Sequence, residues 1–208
     1  MIAIIDYGMG NLASVQKAFE FLRVKAKVTS DPRQVAKATA VVFPGVGAFG
    51  EAMAELKKRR LVDPIIDSIR KEKPFLGLCL GLQLLFGSSE ESPGVKGLSI
   101  LPGRVKRFPV KRGLKVPHMG WNQIRKRHGA VNPLLRDVPD GAFMYFVHSF
   151  YAEPKQDNMI STMTDYGCRF PSILWNGRLL WATQFHPEKS QRCGLKILTN
   201  FARQVALC

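Results

Sequence analysis

Phe75-Leu76-Gly77-Leu78-Cys79-Leu80-Gly81-Leu82-Gln83 decides the reading of this chain. The apolar run 75–78 before the cysteine reads as a buried strand, and 80–86 after it reads as the start of a helix. A residue at such a strand-to-helix turn sits on a sharp, strained bend with its side chain projecting outward. Gly77 and Gly81 permit that bend and let a substrate approach the backbone. A thiol there also feels the positive end of the following helix, which favours the thiolate. This is a nucleophile elbow with Cys in place of Ser. A free cysteine is otherwise commonly a small buried hydrophobe, so a second segment has to decide.

That segment is Gln184-Phe185-His186-Pro187-Glu188, which follows a strand-like run at 179–183. On an extended chain residues i and i+2 share a face, so His186 and Glu188 are expected to project together, with Pro187 marking the end of the strand. Glu188 then holds one imidazole nitrogen while the other faces the nucleophile, which completes a triad by role. Of the four histidines, only His186 has a carboxylate two positions on. His128 lies in a basic run and reads as solvated, whereas His118 and His148 sit in mixed apolar segments and read as structural. Cys168, Cys193 and Cys208 are scattered without metal-ligand spacing, so no metal is expected.

The chain has 208 residues, 46% apolar and 23% charged, which suits one globular domain over 1–208 with a sizeable core. No stretch approaches the roughly 20 apolar residues of a membrane span. The N-terminus enters a strand at once, which leaves no room for a signal peptide, and four unpatterned cysteines suit a reducing, cytoplasmic setting. The net charge of +15 concentrates in Lys57-Lys58-Arg59-Arg60, in 104–115 and in 125–127. Basic patches bind phosphates without regard to sequence. No aromatic interleaving or binding-module motif accompanies them here, so a solvated surface partly used to dock an acidic partner is preferred over nucleic acid.

Periodicity predicts strands at 2–6, 24–29, 40–43 and 75–78, and helices at 11–22, near 50–57 and at 61–71. Asp31-Pro32 reads as an N-cap with proline at the first helical position of a short helix. This β/α alternation implies a parallel sheet with right-handed crossovers. After about Pro93 the chain turns β-rich, with strands expected at 103–108, 118–125, 143–151, 158–166, 172–175 and 179–185, then a closing helix at 194–207. Asn176-Gly177 is a hairpin signal.

In a parallel sheet, loops at the carboxyl ends of strands meet over one edge. The loop Phe43-Pro44-Gly45-Val46-Gly47-Ala48-Phe49-Gly50 should therefore face Cys79. Its glycines let backbone N–H groups of Val46 or Gly47 turn toward an oxyanion, and Leu80 N–H would be the second donor. The loop lacks the Lys-Ser/Thr of a phosphate-binding loop.

These motifs resemble the class I, triad-type glutamine amidotransferases. Asp6-Tyr7-Gly8-Met9-Gly10-Asn11, the 44–50 loop, Pro117-His118-Met119-Gly120-Trp121-Asn122, Val147-His148-Ser149-Phe150 and 184–190 together are similar to one family within them, the glutaminase subunits of imidazole glycerol phosphate synthase. Leu78, Leu82 and Phe150 depart from residues common there, Phe150 by the loss of a hydroxyl. The resemblance implies a three-layer α/β fold with a mostly parallel central sheet. It implies Cys79, His186 and Glu188 as catalytic residues and Gly45, Gln83, His148, Ser149 and Phe150 as glutamine-binding. It also implies no cofactor, and a heterodimer with a (β/α)8-barrel cyclase contacted through Lys189, Trp121 and Asn11. Ammonia from glutamine would pass to that partner for imidazole glycerol phosphate and aminoimidazole carboxamide ribotide formation. The alternatives are a paralogous glutaminase feeding surface-sugar amidation, a stand-alone cysteine hydrolase, and a basic binding protein with an inactive site.

Overall fold

Short runs of apolar residues build the inner strands of the parallel half of the molecule, because strands covered on both faces have no polar side to present. The computed structural model describes residues 1–109, 113–129 and 131–208. In it β1 (Ile2–Ile5), α1 (Leu12–Phe21), β2 (Ala26–Thr29), α2 (Pro32–Lys37), β3 (Ala40–Phe43), α3 (Phe49–Lys58), α4 (Val62–Arg70) and β4 (Phe75–Leu78) alternate as expected. The single turn α5 (Leu80–Gln83) follows. Asp31 caps α2, accepting from Arg33 N–H.

The second half contributes β5 (Gly103–Arg107), β6 (His118–Gln123), β7 (Arg125–Lys126), β8 (Phe143–His148), β9 (Phe150–Pro154), β10 (Ile160–Asp165), β11 (Arg169–Trp175), β12 (Leu180–Thr183) and α6 (Gln191–Ala206). Eight strands form one sheet in the order β2-β1-β3-β4-β12-β11-β10-β7. It is parallel from β2 to β12 and antiparallel beyond. Two further pairs, β5–β9 and β6–β8, lie outside it.

Alternate residues of the parallel strands feed two cores. Ile5, Val41, Phe43 and Phe75 pack with α3 and α4, while Ile2, Ile4, Val42, Leu76 and Leu78 pack with α1, α6 and the β6–β8 pair. The central sheet is thus the middle of three layers.

Several expectations change. The strand anticipated at 118–125 is divided between β6 and β7, which belong to different sheets. The strand anticipated at 143–151 is two strands, β8 and β9, separated at Ser149 and paired with different partners. The helix at 80–86 is regular only over Leu80–Gln83, so its dipole at Cys79 is small. The strand anticipated to reach Phe185 ends at Thr183, and Pro187–Lys189 form a 3₁₀ turn. His186 and Glu188 are therefore brought together by that turn and not by strand alternation. Part of the basic run at 104–115 lies outside the described residues. No described helix is long and apolar enough to cross a membrane.

Candidate active site

Cys79 occupies the bend between β4 and α5 at φ 52°, a left-handed conformation that costs a non-glycine residue energy and is retained here by its surroundings. Its N–H donates to Thr183 O at 2.8 Å, which ties the elbow to β12. Gly81 has to be glycine because a Cβ there would collide with the Phe43 carbonyl. The cysteine is 5% exposed and opens onto a cavity of about 340 Å³.

β12 leads directly to the partner of the thiol. His186 Nδ1 lies 2.8 Å from Glu188 Oε1, and both side chains are almost fully buried. The turn carrying them is clamped to β8: His186 N–H donates to Tyr145 O at 3.0 Å, Ser190 Oγ to His186 O at 2.6 Å and Tyr145 N–H to Ser190 Oγ at 3.0 Å. His186 Nε2 is buried with no hydrogen-bond partner among the described residues. Burial alone would lower the imidazole pKa; the charge of the neighbouring Cys79 sulfur, and then Glu188, outweigh burial and raise it to about 10. His186 is accordingly held protonated beside the sulfur.

The sulfur has two further neighbours. Gln184 Nε2 donates toward it at 3.8 Å, and the Val147 carbonyl oxygen lies 3.8 Å away. Gln184 is oriented by Gln83, whose Nε2 donates to Gln184 Oε1 at 3.2 Å and to Phe150 O at 2.8 Å. The Phe150 carbonyl makes this contact, so the hydroxyl missing from its side chain does not enter it.

His148, Ser149, Phe150, Gln83, Val46 and Gly47 all line the cavity. Glu91 lines it too, and sequence reasoning missed it. One carboxylate oxygen of Glu91 accepts from Phe49 N–H at 2.7 Å, and Ser92 Oγ accepts from Gly50 N–H at 3.0 Å, so a loop 42 residues away caps α3. Nothing in the local pattern of Glu90-Glu91-Ser92 announces that contact.

His148 does not meet the cavity through a free ring nitrogen. Its Nδ1 lies 2.8 Å from Phe150 O, so that nitrogen carries the proton. Its Nε2 must then accept from His118 Nδ1 at 3.1 Å, and His118 Nε2 accepts from Asn122 Nδ2 at 3.2 Å. The chain requires both imidazoles to be neutral. Burial pushes the His118 pKa down to about 4 and that of His148 down to about 3.

The sequence names Leu80 N–H and Val46 or Gly47 N–H as oxyanion donors, and the glycines of the loop make peptide flips there cheap, so one donor could be misaligned in the free subunit. Leu80 N–H, anticipated as a free donor, is engaged by Gly45 O at 3.3 Å. That carbonyl and Val46 N–H belong to one trans peptide, so Val46 N–H points the opposite way. The loop rests against the segment after β1. A Cβ on Gly45 would collide with Tyr7 Oη, one on Gly47 would fall 2.5 Å from Met9 Cε, and Gly10 lies beside the Gly45 Cα. Asn11, at the end of that segment, is exposed and caps α1 by accepting from Ser14 N–H at 3.3 Å.

Lys189 and Trp121 share a neighbour. Lys189 Nζ lies 5.8 Å from the Tyr145 ring centroid, and Trp121 meets the same ring edge-on at 6.0 Å. Met119 (65% exposed), Trp121 (46%) and Phe143 (55%) make this an apolar outer face of the β6–β8 pair. No group of three or more metal-ligating side chains occurs among the described residues.

Comparison with known proteins agrees with this geometry. A family model described as glutamine amidotransferase class-I matches residues 3–205. The chain is 51% identical over 205 residues to the imidazole glycerol phosphate synthase subunit HisH of Moorella thermoacetica, covering 98% of this chain and 95% of that one. It is 52% identical over 208 residues to the HisH subunit of Geobacter metallireducens, covering 97% of each. Among solved structures, PurLQS from Thermotoga maritima superposes with a TM-score of 0.76 at 12% identity, covering 98% of both chains. A crystal structure of a glutamine amidotransferase does so with a TM-score of 0.75 at 15% identity and full coverage of both. These two likenesses concern the fold. The chain belongs to the class-I glutamine amidotransferases and, within them, to the family of HisH subunits of imidazole glycerol phosphate synthase.

Proposed function

We propose that this chain is a single cytoplasmic amidotransferase domain that hydrolyses glutamine to glutamate and ammonia, and that it delivers the ammonia to a cyclase subunit making imidazole glycerol phosphate in histidine biosynthesis. The observation that carries the chemistry is Cys79 on a strained elbow, with a protonated, Glu188-bound imidazole beside it at the wall of a cavity.

The thiolate of Cys79 attacks the carboxamide carbon, and the carbonyl electrons move onto oxygen. His186 gives its proton to the nitrogen, ammonia departs and a thioester remains. The neutral imidazole then takes a proton from water, which attacks the thioester. Glutamate leaves, and the sulfur departs as thiolate beside a reprotonated His186. Glu188 fixes the ring so that Nε2 serves both transfers. Gln184 steadies the sulfur through its side-chain amide. Glu91, the anionic side chain of the cavity, is suited to the substrate's α-ammonium, and Gln83 to its polar end.

Gly45 O on Leu80 N–H leaves the tetrahedral oxygen without its pair of backbone donors, so the isolated subunit rests in a weak state. Rotation of the Gly45–Val46 peptide frees Leu80 N–H and turns Val46 N–H inward. Loss of one such donor typically costs about 100- to 1,000-fold in rate. The partner supplies the trigger by docking on Trp121, Lys189 and Asn11, the last of these on the segment that cradles the loop. The test is glutamine turnover with and without the cyclase loaded with its nucleotide substrate. Turnover rises by orders of magnitude if this reading holds and is equal in the two states if it does not.

A further inference from the structure

Tyr7 is the largest polar side chain in the first core with nothing to bind. Its ring packs against Phe43 with centroids 5.7 Å apart, and the residue is completely buried. Its hydroxyl has no hydrogen-bond partner among the described residues. Buried hydroxyls are ordinarily bonded, and an unpaired one needs an explanation. The position of this one is specific. It fills the space a Gly45 side chain would take, on the residue whose carbonyl holds Leu80 N–H. Burial, and then the charge of Cys79, keep the phenol pKa well above its usual range, so the hydroxyl is a donor at any working pH.

When the Gly45–Val46 peptide rotates, its carbonyl abandons Leu80 N–H at a buried position and needs a new donor. We infer that the Tyr7 hydroxyl is that donor: it is left unpaired in the resting subunit and binds Gly45 O when the loop turns Val46 N–H toward the substrate oxygen. Tyr7 is thus a positioning residue that acts through the loop. This rests on the activation reading above and assigns a residue to its far side. It also explains why the hydroxyl is tolerated at rest. The cost of the unpaired group is released on activation, which favours the active loop relative to the resting one.

Tyr7→Phe removes only the oxygen. In the complex with the nucleotide-loaded cyclase, kcat for glutamine is expected to fall about five- to tenfold, the loss of one buried hydrogen bond, with KM within twofold. The thermal midpoint of the variant subunit is expected to equal or exceed that of the parent, since no resting bond is lost. Inhibition of the complex by glutamate γ-semialdehyde, whose adduct on Cys79 carries an oxygen in the oxyanion position, should weaken by a similar factor. Alkylation of Cys79 by iodoacetamide, which forms no oxyanion, should proceed at the parental rate. Parental kcat in a complex whose wild-type form is stimulated overturns the role of Tyr7 alone. A midpoint lowered by several degrees overturns it by showing that the hydroxyl is already bonded at rest. An unstimulated wild type overturns the activation reading and this inference with it.

Discussion

The Gly45 carbonyl accepts the Leu80 N–H at 3.3 Å, so the amide that follows the nucleophile is occupied by the very loop that should assist it. The contact requires Gly45 to pass closely over the elbow, with Tyr7 Oη where its side chain would be and Leu80 Cβ 3.0 Å from the same point. Gly45→Ala should therefore destabilise the subunit by about 1–3 kcal/mol, the usual penalty of overpacking, and should lower stimulated glutaminase strongly. Urea unfolding and an ammonia assay check both. Parental stability would mean that the loop has room the structure does not show.

Glu188→Gln tests the orientation of His186. Both side chains are buried, and the replacement is nearly isosteric, so the fold should survive. The ring loses the charge that holds its proton and its tautomer, and kcat should fall by about 100-fold or more with little change in KM. Adding Cys79→Ala should eliminate turnover, and a further His186→Ala should cost nothing more, because residues acting as a unit are not additive. Measurable turnover in Cys79→Ala with the partner present would exclude Cys79 as the nucleophile.

The neutral His118–His148 chain makes stability acid-sensitive. Both folded pKa values lie below the ordinary 6.5, at about 4 and about 3. Above pH 6.5 neither the folded nor the unfolded chain binds protons at these rings. Below it the unfolded chain takes up protons that the folded one refuses, so their contribution is lost progressively as pH falls from about 6.5 toward 3. Denaturation midpoints between pH 7.5 and 4.5 should decline less steeply in His118→Gln, which lacks one of the titrating rings. Parallel slopes in the two proteins would contradict the assignment.

Trp121 and Lys189 meet through Tyr145 on an exposed apolar face. Large aromatic anchors dominate interface energies. Trp121→Ala should weaken cyclase binding by at least about tenfold while leaving the thermal midpoint of the subunit within a degree or two. Lys189→Ala should reduce stimulation by the loaded cyclase more than it reduces binding. Calorimetric titration and coupled turnover separate the two effects. Undiminished binding by Trp121→Ala would move the interface elsewhere.

Local pattern alone determined much of this protein. The buried strands Ala40–Phe43 and Phe75–Leu78 coincide with their sequence reading, since doubly covered strands must be continuously apolar and breakers mark their ends. The glycine-flanked elbow and the Asp31 cap were legible because each involves residues a few positions apart; the His186–Glu188 pairing was read too, although a 3₁₀ turn and not strand alternation makes it. Tertiary structure decided the rest. The split of the 143–151 stretch at Ser149 depends on two different partner strands, β6 and β5, and no local pattern states which edge a chain will pair with. The His118–His148 contact spans 30 residues, the capping of Phe49 by Glu91 spans 42, and the Gly45–Leu80 bond joins two separate loops. Such contacts arise from where the sheet sets its crossovers down. A side chain's type says what bonds it can make, and only the packed chain says which atoms come within reach to make them.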